Sequence, residues 1–131
     1  MEKILEVSRR LFSQDVKTAH EIGMKAAELL RDGYLKNPPA LCGRKTSALI
    51  AGAMYVACLL EDEWKAQWEV AEACEITETS VRNSYRLLIK VLELEDKLLV
   101  RRLYGWGFSA TEAYYPKIPG MRRAKEASPS G

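Results

Sequence analysis

Three cysteines, one histidine and no CxxC pair leave little for a metal to hold in this 131-residue chain. Structural zinc needs four ligands in paired spacings. Cys42, Cys58, Cys74 and His20 stand far apart, so no metal and no other cofactor is expected. An odd, unframed cysteine count also argues against a disulfide scaffold and against secretion. Cys58 in MYVACLL and Cys74 in VAEACEI sit in apolar, helical contexts and read as buried reduced thiols. No apolar run reaches the roughly 18 to 20 residues of a membrane span. The opening MEKILEVSRRLF lacks the apolar stretch of a signal peptide. The expectation is an intracellular protein with no membrane segment. Equally absent are a nucleophile–base pair and a glycine-rich phosphate loop. Tyr34, Cys42 and the carboxylates are too ordinary to nominate, so neither an enzyme nor a small-molecule substrate is expected.

What is present is a chain of single-domain length, 47% hydrophobic and 29% charged, enough to bury one core. Its net charge of +2 conceals an asymmetry. Residues 1–96 hold 13 Lys/Arg against 16 Asp/Glu, whereas residues 97–131 hold 7 against 2. A basic end behind a mildly acidic body suits a polyanion or an acidic partner, or else is a solvated tail.

The periodicity is nearly all helical. A first helix is expected over about 2–12, with Ile4, Leu5, Leu11 and Phe12 on one face. A second spans about 14–33, with Gly33 as its stop signal. YLKNPPALCGR then reads as a loop, because two adjacent prolines cannot continue a helix. A third helix, about 46–61, is apolar nearly all round and rich in small residues, as a buried central helix is. Thr46 or Ser47 is its expected cap. A fourth covers about 66–74, and a fifth starts near 78, capped by Thr77. The stripe Val81, Tyr85, Leu88, Leu92 continues in register to Leu99 and Leu103. Residues 95–104 therefore either lengthen the last helix or form a separate element, such as a small hairpin. Beyond them the sequence is aromatic and turn-rich, then basic, and 116–131 is expected to be a disordered tail.

Two short helices with a tight break make a helix-turn-helix, whose second helix can enter the major groove with its N-terminal residues on the bases. Here those outward positions are Glu78, Thr79, Arg82 and Asn83, and Arg86 and Lys90 extend the basic line. Arginine pairs two-pronged with guanine and threonine meets a thymine methyl. Arg86 and Lys90 suit phosphates. Against this, arginines at four-residue steps are also simply a solvated face. From 62 to 90 there are four Lys/Arg against six Asp/Glu, a poor surface for phosphate on its own.

The stretch GRKTSALIAGAMYVACLL followed by WKAQWEVAEACEITETSVRNSYRLLIK resembles the second cyclin-like repeat of transcription initiation factor B of archaea and its eukaryotic relative, factor IIB. Gly43 and Arg44 match that family's loop, and Ala53, Tyr55 and Ala57 its alanine-rich helix. Gln67, Glu69, Val70, Thr77, Glu78, Val81, Arg82, Asn83 and Tyr85 match its helix-turn-helix. The resemblance implies an all-α, five-helix cyclin-like bundle over 1–95, with the helix-turn-helix at about 66–94 and an irregular basic C-terminal extension. It implies promoter DNA upstream of a TATA box as ligand, with TATA-binding protein, RNA polymerase and other initiation factors as partners, in an archaeal cytoplasm or a nucleus. Thr79, Arg82 and Asn83 become the expected base contacts. Arg44, Lys45, Gln67, Arg86 and Lys90 become the backbone contacts.

The departures are informative. The family's usual threonine before Gln67 is Ala66 here, which removes a helix cap worth about 1 kcal/mol. Its usual turn glycine is Glu75, which costs about 1 to 2 kcal/mol if that residue is left-handed. Trp64 and Trp68 stand where the family is often basic or polar. Each reads either as packing against the third helix or as an aromatic patch for a protein partner. A cyclin-box interaction module without sequence-specific DNA reading is the competing expectation.

Overall fold

The computed structural model describes residues 2–63, 65–105 and 108–116. Six helices form the body: α1 (Glu2–Leu11), α2 (Val16–Lys36), α3 (Pro38–Leu41), α4 (Thr46–Leu60), α5 (Gln67–Cys74) and α6 (Glu78–Val91). A 3₁₀ turn, Glu95–Lys97, leads into a two-stranded antiparallel hairpin, β1 (Leu98–Gly105) and β2 (Phe108–Pro116).

The centre is α4, as its composition requires. Every residue from Leu49 to Leu59 is buried, and α2, α5 and α6 pack around it. No side of such a helix can face water without exposing apolar area, at about 25 cal/mol per Å². Gly52 sets the closest approach. A Cβ there would lie 2.7 Å from the backbone carbonyl carbon of Ser84 and 2.9 Å from the Tyr85 nitrogen, so α6 rests directly on the α4 backbone. Beside that contact the Tyr55 and Tyr85 rings meet at 4.6 Å between centroids. α1 closes the bundle through Ile4, Val7 and Leu11, and its buried Ser8 hydroxyl donates to the Ala19 carbonyl of α2.

Several local expectations are corrected. Gly33 does not stop α2, which runs on to Lys36. Asn37 ends it, because a residue preceding proline is driven out of the helical region. Gly33 serves packing instead, since a Cβ there would press on Leu41 and Leu88 at 3.3 Å. The two prolines start a helix rather than make a loop: Pro38 and Pro39 occupy the first positions of α3, where a missing N–H costs nothing. Neither Thr46 nor Ser47 caps α4, whose cap position is Lys45, with no side-chain cap bond.

The last helix does not extend to 104. Glu93 adopts φ 54°, and Leu94 N–H reaches back to the Ile89 carbonyl at 2.9 Å, closing α6. The chain then folds back so that Leu94 and Leu98 join the core. β1 and β2 pair antiparallel, with Leu98 opposite Pro116 and Arg102 opposite Glu112. Residues 117–131 lie outside the described residues.

Candidate nucleic-acid interface

α5, the turn and α6 form the expected helix-turn-helix, and each junction has a visible cause. At the start of α5, Ala66 has no oxygen to cap with, but the Glu69 carboxylate accepts from the Ala66 N–H at 2.9 Å. That is half of a capping box. At its end Glu75 is left-handed, φ 60° and ψ 45°, and Ile76 N–H bonds the Ala71 carbonyl at 3.0 Å. Thr77 caps α6 as expected, its hydroxyl accepting from Ser80 N–H at 3.1 Å.

α6 is sharply two-sided. Val81, Ser84, Tyr85, Leu88 and Ile89 are buried. Thr79, Asn83 and Lys90 are exposed, with Arg82 and Arg86 half-buried along the same outer side. The side chain that links the two sides is Tyr85. Its hydroxyl accepts from Gln67 Nε2 at 3.1 Å and also bonds with the Arg86 side chain. Burial pushes that phenol up to about 12, so it stays protonated. Gln67 and Arg86 are thus fixed in place by a core tyrosine rather than left loose.

A second element joins this side of α6. Gly43, at φ 82°, turns the chain after α3 and delivers Arg44, whose Nε leans on the Ala40 carbonyl at 3.4 Å. Arg44, Asn83, Arg86, Leu87 and Lys90 together line a concavity of about 340 Å³. Three cations from two separate segments therefore converge where sequence spacing alone could align only those of α6. Thr79 and Arg82 lie nearer the N-terminus of α6 and Lys45 at the start of α4; none of the three lines the concavity.

α5 presents the opposite character. Trp68 is 56% exposed, and it lines another concavity with Arg10, Leu11, Glu69, Glu72 and Ala73. Trp64, the other tryptophan singled out by sequence, lies outside the described residues. Sequence reasoning missed Arg10. It donates to the Ala73 carbonyl at 2.8 Å and pairs with Glu6 at 2.8 Å and Glu75 at 3.6 Å, so α1 holds the end of α5. Its only sequence signal was the four-residue spacing from Glu6.

Cys58 and Cys74 are buried, and burial raises their thiols to about 12 and about 11, which keeps them protonated. Among the described residues no three His, Cys, Asp or Glu side chains come together as metal ligands. No helix among them is long and apolar enough to cross a membrane.

A family model described as the transcription factor TFIIB repeat matches residues 8–91, which reaches from α1 to the last residue of α6 and leaves the hairpin outside. Transcription initiation factor IIB 1 of Thermococcus kodakarensis is 33% identical over 84 residues, covering 64% of this chain and 27% of that protein. Transcription initiation factor IIB of Pyrococcus furiosus gives the same identity and coverage. Transcription initiation factor IIB 2 of T. kodakarensis is 40% identical over 68 residues, 52% of this chain and 22% of that protein. The chain thus spans about a quarter of the length of the curated relatives it matches.

Proposed function

From the premise that this chain belongs to the TFIIB repeat family, with that family's all-α cyclin-like body and a role in transcription initiation, we propose that it binds promoter DNA upstream of a TATA box together with TATA-binding protein. α6 enters the major groove. Thr79, Arg82 and Asn83 meet base edges, where arginine and asparagine carry the most discriminating hydrogen-bond patterns. Arg44, Lys45, Gln67, Arg86 and Lys90 hold phosphates and fix the register.

The observation that carries this reading is the convergence of Arg44 with Asn83, Arg86 and Lys90 around one concavity. A solvated helix face would not recruit a cation from another segment. The preformed Gln67–Tyr85–Arg86 bonding supports it further, because side chains already held lose less freedom when they bind. Arg101 and Arg102 on β1 are further candidates for phosphate, as are Lys117, Arg122, Arg123 and Lys125 of the tail. RNA polymerase and other initiation factors are the remaining partners of this reading.

The test is binding to a TATA-containing duplex, with and without TATA-binding protein, across a salt series. Arg82→Ala is expected to weaken the ternary complex by about 1 to 3 kcal/mol on the cognate upstream sequence only. Equal binding of both proteins with a steep salt dependence would leave only non-specific phosphate contact. In that case the chain is better described as an interaction module, a reading favoured by exposed Trp68 on an acidic helix.

A further inference from the structure

The helix-turn-helix has a second face that DNA binding does not use. α5 carries exposed Glu72 and half-buried Glu69, exposed Glu75 follows in the turn, and Trp68 lies among them. The fold does not need the indole. α5 fills the core with Val70, Ala71, Ala73 and Cys74 while Trp68 remains 56% exposed. Nor is the indole on a bare convex surface: it lines a concavity of about 280 Å³ between α1 and α5, with Leu11 and Ala73 as apolar wall.

The charges of that concavity are unequal in availability. Arg10 is already committed to the Ala73 carbonyl, Glu6 and Glu75. Glu69 has Lys65 at 3.9 Å, at the limit of an ion pair, and bonds the Ala66 N–H. Glu72 is exposed and has no ion-pair partner among the described residues. The available field is therefore negative, next to a large aromatic surface. Such a surface repels phosphate and attracts ammonium or guanidinium, which also bind over an indole face.

We infer that the α1–α5 groove docks a basic segment of a protein partner, with an apolar side chain against Trp68 and a lysine or arginine over Glu72. Exposed tryptophan in a recess with anchored walls is the arrangement that dominates protein interfaces energetically. The cationic side of α6 and the acidic side of α5 then serve different ligands. This inference goes beyond the DNA-binding reading and stands without it.

The probe is a fluorescein-labelled Gly-Lys-Leu-Lys-Gly peptide, titrated by anisotropy into the full chain at low salt, with Gly-Glu-Leu-Glu-Gly as control. The lysine peptide binds and the glutamate peptide does not. Trp68→Ala and Glu72→Lys each weaken binding about tenfold, while Arg82→Ala leaves it unchanged. Trp68→Ala leaves duplex DNA binding as in the wild type, so failure here is separable from failure of the promoter reading. Equal binding of both peptides, no binding of the lysine peptide, or indifference to Trp68→Ala overturns the inference. Loss of DNA binding in Trp68→Ala would assign the groove to DNA. A dimer in sedimentation that Trp68→Ala dissolves would assign it to a second copy of the chain.

Discussion

α5 and α6 are neighbours in sequence and are held in the fold by different means. α6 has 14 residues, a hydroxyl cap and an inner side that is wholly buried. α5 has 8 residues, an alanine at its N-cap position and a left-handed glutamate just past its end. Packing on the α4 backbone locates α6, and loss of any one polar contact would leave its seat intact. α5 also packs Val70, Ala71, Ala73 and Cys74 into the core, but over its shorter length it adds polar ties to its neighbours, Arg10 of α1 to Ala73 and Gln67 to Tyr85 of α6. The two outer surfaces differ in sign as well, cationic on α6 and acidic on α5. On the proposed DNA-binding reading, α6 presents side chains to a groove and benefits from the rigid seat. α5 in turn sets the position of the turn that precedes α6.

The contrast is broken most severely at Gly52. A Cβ there would meet Ser84 carbon and Cβ both at 2.7 Å, and backbone cannot rotate away as a side chain can. Gly52→Ala gains about 1 kcal/mol of helix propensity and incurs up to about 3 kcal/mol of overpacking. A net loss of about 2 kcal/mol is expected in urea denaturation, and cognate DNA affinity falls with it because α6 must lift. Unchanged stability would mean that the α4–α6 contact is slack, and the rigid-seat account would fail.

That contact also marks the limit of what the sequence alone conveys. The helices were legible because their apolar spacing is strict, and α4 announced its burial by having no polar side. The cap at Thr77 and the outward line Arg82, Arg86, Lys90 were legible because both are local. Gly52 in an alanine-rich helix looked like one small residue among several, and only the crossing of α6 singles it out. Gly33 misled for the same reason: a glycine near a helix end suggests a stop, whereas Leu41 and Leu88 claim its space. The hairpin was ambiguous because Leu99 and Leu103 fit the helical stripe, and the left-handed Glu93 that diverts the chain carries no sequence signal. Arg44 is expected at the interface only through family resemblance. Its convergence with Lys90, which lies three helices further along the chain, is a product of the fold.

A milder break is made at Arg10. Arg10→Met keeps the aliphatic stem and removes the guanidinium. The bond to the Ala73 carbonyl is short, but the side chain is 41% exposed and its ion pairs face solvent, so the loss is discounted to about 1 kcal/mol. The effect is expected to be local. Amide exchange accelerates at Glu75 and Ile76, where the turn is tied to α5, and stays unchanged at Tyr85 and Leu88. Equal acceleration in both helices would show that α5 and α6 open as one unit, and the proposed division between tied and packed helices would be wrong.

The smallest change sharpens the contrast at the turn itself. Glu75 holds φ 60°, a conformation that costs a residue with a Cβ about 1 to 2 kcal/mol and glycine nothing. Its carboxylate also sits at the C-terminal end of α5, where the helix dipole disfavours negative charge. In return its one ion pair among the described residues is Arg10 at 3.6 Å, with its own side chain 78% exposed, a pair worth little. Glu75→Gly therefore stabilises the fold by about 1 kcal/mol, after allowance for the greater freedom of glycine in the unfolded chain. Glu93 offers the matched control. It is equally left-handed, at φ 54°, but its carboxylate binds Lys36 across to α2 at 2.5 Å, and that contact holds it below the usual carboxylate range. Glu93→Gly relieves the same strain and severs a tie between elements, so its gain is expected to be smaller than that of Glu75→Gly. Paired thermal melts at neutral pH decide the order. If Glu93→Gly gains as much, the Lys36 contact contributes nothing. If Glu75→Gly gains nothing, the left-handed turn is not strained, and the acidic residue there is retained at no cost to the fold.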